Sequence, residues 1–167
     1  MGFELGFLNQ GLIQKQAVGD ILKCNEISAR FGLQLTEQQA VQLVETRAFA
    51  LKTAGRVEFG GGVIQKLIYA FSDSPYLMNQ NYESTLHELV ELFYFYKNET
   101  EDRISDDELI DYMKKAYDGP CAGSLQLLAG RELYRLAENS RWRRPAEYNE
   151  DLVNEEEEDE DELSGTN

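Results

Sequence analysis

The chain holds one histidine, and it sits in a run suited to metal or acid–base work, His87-Glu88-Leu89-Val90-Glu91. Residues four apart on a helix share a face, so His87 and Glu91 can reach one ion, and Glu83 joins them from the preceding turn. Glu88 is then placed as a general base. A catalytic zinc needs a third protein ligand and an open position, and no second histidine exists to help supply it. The plainer reading is a solvated polar face opposite the apolar stripe Leu86, Leu89 and Phe93. Gly60-Gly61-Gly62 precedes Lys66 on the next predicted helix. Free N–H groups and the helix dipole can hold an anion there. Neither GxxxxGK[ST] nor GxGxxG is present, so close backbone packing or a hinge is the expected role of the glycines. Cys121 lies just before a helix, a position that lowers a thiol pKa, but no Cys–His dyad follows from the spacing. No Ser/His/Asp set survives inspection. No catalytic residue and no cofactor are therefore expected.

A second constellation runs from Lys97 to Glu108: Lys-Asn-Glu-Thr-Glu-Asp-Arg-Ile-Ser-Asp-Asp-Glu. It follows an aromatic-ended helix, has Ile104 at its eighth position and ends on Glu108, which opens a new helix. This resembles an EF-hand loop. Gly55-Arg56-Val57-Glu58-Phe59 resembles positions six to ten of a partner loop. EF-hands pair through their eighth residues, which implies a minimal two-strand pair between Val57 and Ile104. The resemblance covers residues 36–117. It departs from the pattern at Lys97, which replaces the first Asp, and at Asp102, which replaces the turn glycine. The upstream loop offers Ala50, Lys52 and Gly61 at three ligand positions. Calcium needs six to eight oxygens, so the loops are expected to be degenerate and free of metal. Glu99, Glu101 and Glu108, with His87 and Glu91, are the candidate ligands should an ion bind.

These motifs need helices to position them. The alternation Phe3-Glu4-Leu5-Gly6-Phe7 suggests an edge strand or an arm on the core. Helical periodicity then runs from Ala17 to Phe31, with Gly32 placed to end it in the left-handed conformation. Thr36 and Gln39 form a capping box for a helix ending at Gly55. Val63 to Phe71 carries the next helix, stopped at Asp73-Ser74-Pro75. A loop with Tyr76 and Tyr82 leads to a helix over about 83–96. Ser105 with Glu108 caps another helix, broken by Gly119-Pro120, and a last one spans about 124–138. No fixed-period repeat is visible in the sequence. The expected fold is all-α, about six helices in one compact domain, EF-hand-like with the Val57/Ile104 pair.

The formal charge is −15, from 16 basic and 31 acidic residues. Eleven of the acids lie between Glu147 and Glu162, where there is no base, leaving 20 acids against 16 bases in the body. An acidic chain has no electrostatic reason to hold nucleic-acid phosphates or an anionic membrane, so neither is expected as a partner. Arg141-Trp142-Arg143-Arg144 is a basic cluster that the following acids can neutralise. The division expected is an arm at 1–16, a helical domain at 17–140, and at 141–167 the basic cluster and a disordered acidic tail. Two widely spaced cysteines, no leader sequence and no apolar span point to the cytoplasm.

A wider resemblance covers about Phe31 to Asn139. It is carried by Gly55-Arg56-Val57-Glu58-Phe59-Gly60-Gly61-Gly62, Lys66-Leu67-Ile68-Tyr69-Ala70-Phe71, Asp73-Ser74-Pro75-Tyr76 and Tyr96-Lys97-Asn98-Glu99. Ile104-Ser105-Asp106-Asp107-Glu108-Leu109-Ile110 and Asp118-Gly119-Pro120-Cys121-Ala122-Gly123-Ser124-Leu125 add to it. The chain resembles a domain of unknown function found in small, uncharacterised proteins of Gram-positive anaerobes. The resemblance implies a bacterial cytoplasmic origin and carries no activity or site residue across. The expected function is that of a non-enzymatic interaction or accessory protein whose partner is another protein. An EF-hand-like regulatory module is the second reading, and a helix-based metal-dependent enzyme using His87, Glu88 and Glu91 the third. Tyr76, Tyr82 and Tyr96 are the candidate partner-binding residues, because three successive aromatics at 94–96 cannot all face one core.

Overall fold

The computed structural model of the chain describes residues 2–141, with side chains within 11–141 apart from position 13. The basic cluster beyond Arg141 and the acidic tail lie outside the described residues. Among those described, the chain is all-α with no strand. The helices are α1 (Gly2–Lys23), α2 (Asn25–Ser28), α3 (Glu37–Ala54), α4 (Gly62–Phe71), α5 (Asn79–Glu99), α6 (Asp106–Asp118), α7 (Leu125–Leu127) and α8 (Leu133–Arg141), with a 3-10 turn at Ala29–Phe31 and a π segment at Leu128–Glu132. Six of these helices exceed one or two turns. The alternation near residue 3, expected as a strand or an arm, lies within α1.

Local sequence signals set the boundaries. Thr36 Oγ1 accepts from the Gln39 N–H and the Gln39 side chain accepts from the Thr36 N–H, which completes the capping box. Gly32 (φ 78) and Gly55 (φ 69) take the left-handed conformation that ends their helices. Ser105 Oγ accepts from the Glu108 N–H at the start of α6. The apolar stripes then meet in one core. Leu43 of α3, Ile64, Leu67 and Phe71 of α4, Leu86, Leu89 and Phe93 of α5, and Leu109 and Met113 of α6 are all buried.

Two helix–loop–helix units stack in that core. Helix α3 packs on α5, and α4 on α6. Thr46 meets His87 and, further along both segments, Arg56 meets Asn98. Lys66 meets Asp107 and, again further along both, Asp73 meets Lys114. Contacts that advance together on both partners mean that the helices run parallel. The separations are 41, 42, 41 and 41 residues. The unit α3–α4 is therefore laid in register on the unit α5–α6, as in helical-repeat proteins where each hairpin covers its neighbour's apolar face.

The two loops touch through side chains, but the EF-hand pairing expected from the sequence is not confirmed and no Val57/Ile104 strand pair forms. Val57 is 81% exposed. The loops are joined by side chains instead: Arg56 Nη2 donates to Asp102 Oδ2 at 2.7 Å and to Asn98 Oδ1 at 3.0 Å. The Ile104 carbonyl, which such a pair would use, accepts instead from Lys97 Nζ.

If the α3 cap sets that boundary, Thr36→Ala should lower stability by about 1 kcal/mol. Urea unfolding should show a shifted midpoint and an unchanged slope.

Candidate functional site

The loop from Gly55 to Gly62 is held from below by buried charge. Glu58 Oε1 accepts from the Val63 N–H at 2.6 Å and from Arg47 Nη1 at 3.3 Å. The Tyr94 hydroxyl donates to Glu58 Oε2. Arg47, only 3% exposed, also donates to the Gly60 carbonyl at 2.7 Å. Asp20 of α1 accepts from the Gly61 N–H at 3.0 Å. The glycine run does face an anion, but the anion belongs to the chain itself. The Glu58 carboxylate binds a free N–H at the start of α4, where the helix dipole favours negative charge. A Cβ on Gly62 would lie 1.7 Å from Glu58 Oε1, so a side chain there would displace that carboxylate.

This pinning turns Glu58 inward and its neighbours outward. Val57 is 81% exposed and Phe59 68% exposed. Folding does not require either ring or methyl group to face water. A rigid backbone showing two apolar side chains is therefore the least explained surface of this unit. In the sequence Val57 reads only as a loop position paired with Ile104, because the partners of Glu58 lie far along the chain.

The second loop is organised around an ammonium. Lys97 is 6% exposed, and its Nζ donates to the Ile104 carbonyl and to Asp106 Oδ1 at 2.9 Å, with Asp102 Oδ1 at 3.8 Å. Glu101 and Asp102 take left-handed φ of 52° and 59°, the tight turn that a loop glycine would normally supply. The hydrogen bond from Arg56 holds the Asp102 carboxyl below the usual carboxylate range. The EF-hand ligand set does not assemble. Glu99 pairs with Arg141, Glu101 pairs with Arg103, and Glu108 is exposed in the first turn of α6. The oxygens of this loop gather around Lys97 because the tethered cation stands where the first ligand would be. A half-enclosed cleft of about 310 Å³ separates the two loops, lined by Arg56, Glu58, Tyr94, Lys97 and Asp106 among others. Each of those five polar groups already has a partner.

His87 and Glu91 do share a face, as the spacing predicts, and line an open groove of about 450 Å³ with Gln42, Glu45, Thr46 and Phe49 of α3. Glu88 does not line it. Thr46 Oγ1 lies 2.7 Å from His87 Nδ1, and Glu83 Oε1 lies 3.2 Å from His87 Nε2. A carboxylate can only accept, so Nε2 carries the proton and, in the neutral ring, Nδ1 accepts from the Thr46 hydroxyl. The imidazole thus links α3 to α5 with both nitrogens engaged. No group of three His, Cys, Asp or Glu side chains able to hold a metal occurs among the described residues.

The tyrosine patch requires correction. Tyr82 and Tyr96 are 1% and 7% exposed, and only Tyr76, at 37%, reaches the surface. Tyr96 is drawn inward because its hydroxyl donates to the Ala129 carbonyl in the π segment, at 2.6 Å. Tyr76 lies edge-on to Tyr117, with ring centroids 6.1 Å apart. Of the three successive aromatics, Tyr94 and Tyr96 find different neighbours and only Phe95 is left out, at 57% exposure.

A family of unknown function (DUF6323) has a family model that matches residues 20–146. The chain belongs to this family. The match takes in both stacked units of this DUF6323 chain, the pinned loop and α8. No curated protein and no solved structure matches the chain.

Two predictions follow from the buried charges. Glu58→Gln leaves the Arg47 guanidinium without its counter-ion and should cost about 3 kcal/mol in urea unfolding. Burial pushes the Tyr82 hydroxyl up to about 12 and also raises Tyr94, where the Glu58 carboxylate adds to the effect. A raised folded value means stability is intact below the ordinary tyrosine value of about 10. It is lost as pH rises from there toward the folded value. Melting temperature should hold at pH 9 and fall between pH 10 and 12, less steeply in Tyr82→Phe.

Proposed function

We propose that this chain is a non-enzymatic, cytoplasmic accessory module that binds another protein through the pinned loop at 55–61. The observation that carries the reading is the display of Val57 and Phe59 on a backbone tied down from three helices. Arg47 of α3 and Tyr94 of α5 hold the loop through Glu58 and the Gly60 carbonyl, and Asp20 holds it from α1. A binding element that is already ordered loses little conformational entropy on association, which favours affinity. Stacked helical hairpins commonly present such surfaces to proteins, an analogy of architecture rather than of family.

The charged groups support a structural rather than a chemical use. Arg47, Glu58, Tyr94, Lys97 and His87 each join one element to another. Cys24 and Cys121 are buried free thiols, in keeping with a reducing compartment. No helix among the described residues is long and apolar enough to cross a membrane.

The test replaces both displayed side chains, Val57→Asp with Phe59→Asp, in the full chain. Capture of a partner from the source organism should fall by at least about tenfold, with the melting temperature unchanged because both side chains are already in water. Retention of the same partner at full yield overturns the reading.

A further inference from the structure

We propose that an uncharged, extended segment of the partner protein adds to residues 56–60 as a β-strand, main chain to main chain. This rests on the protein-binding reading above and adds the form and chemistry of what is bound. Residues 56–59 lie outside any helix. Their side chains alternate as on a strand edge, with Val57 outward, Glu58 inward and Phe59 outward. The N–H groups of Val57, Glu58, Phe59 and Gly60, and the carbonyls of Arg56, Val57, Glu58 and Phe59, have no hydrogen-bond partner among the described residues. The other loops use most of theirs. The N–H groups from Leu33 to Thr36, from Tyr76 to Met78 and from Thr100 to Arg103 are all bonded within the chain. Those that follow Arg103 lie at the start of α6, where a helix leaves them free.

A row of free donors and acceptors with apolar side chains on one face is what a partner strand pairs with. Residues opposite one another in such a pair share a face, so those opposite Val57 and Phe59 are apolar. A residue opposite Glu58 turns toward the cleft of about 310 Å³ between the loops, which has Leu51 and Phe93 in its lining. The charged groups of that cleft already have partners, so the entering side chain carries no charge of its own. A second copy of this chain fits less well. Antiparallel self-pairing that sets Val57 against Phe59 also sets Glu58 against Glu58, and like charges directly opposite are destabilising.

The probe is the capped peptide Ac-TVTITVT-NH2, titrated into the full chain, with amide hydrogen exchange read by 15N NMR. The control is Ac-TVTPTVT-NH2, whose central proline lacks a donor and interrupts pairing. Strand addition presents every second amide of the run to the peptide. Exchange should therefore slow at Val57 and Phe59, or at Glu58 and Gly60, by about tenfold when the peptide is at about ten times its Kd. The Leu51 methyl and Phe93 ring signals should move with it, and the proline peptide should produce neither effect. No saturable binding, protection of all four amides or of none, or an equal response to the proline peptide overturns the inference. So does a dimer in sedimentation whose formation alone produces the alternate protection, since the occupant is then a second copy. Loss of partner capture in the Val57→Asp/Phe59→Asp chain with no amide protected by the peptide sinks the strand and leaves the loop reading standing. Retained capture sinks the loop reading itself.

Discussion

The carboxylate of Glu58 is the point at which three helices meet. It accepts from Arg47 of α3, from the Val63 N–H at the start of α4 and from Tyr94 of α5. Glu58 is half-buried against the buried Arg47, and a charge withdrawn from water is costly unless its lone pairs are satisfied. Here that requirement fixes where the loop lies and which way it faces. It forces glycine at position 62 and sends the Gly60 carbonyl to Arg47. With Glu58 turned inward, Val57 and Phe59 on either side of it face outward.

The same contacts lock one helical unit onto the next. Tyr94 and Arg47 belong to parallel helices of stacked units, and Thr46 with His87 repeats the link farther along the seam. At the other end, Arg56 bridges the two loops through Asn98 and Asp102. A cationic residue of each loop is thus held by its neighbours' oxygens, Arg56 across the units and Lys97 within its own. The ladder of ties at nearly constant separation arises without sequence repetition, because each unit uses different residues for the same mechanical purpose.

Much of the helical frame was legible in the sequence because its signals are local. The Thr36–Gln39 box and the stop glycines Gly32 and Gly55 act within a few residues. The apolar stripes on α4 and α5 have the right period. The site was legible only in part. The spacing of His87 and Glu91 placed both on one helix face, but the groove they line and the bonds from His87 to Thr46 and Glu83 depend on how α3 meets α5. The inward turn of Glu58 depends on Tyr94, 36 residues away. Tyr96 was expected at a surface, yet it is buried because a π segment more than thirty residues later presents the Ala129 carbonyl to it. The EF-hand resemblance at Lys97 is not confirmed, since periodicity does not say whether oxygens will gather around a metal or around a lysine, and here they gather around Lys97.

The account turns on a loop that is ordered in the free protein. Backbone 15N relaxation of residues 55–61 measures this directly. The account predicts order parameters near those of α3 and α5, about 0.85 for rigid backbone. Values below about 0.6 at Val57, Glu58 and Phe59 would mean that the carboxylate does not pin the loop, and would contradict the account at its base.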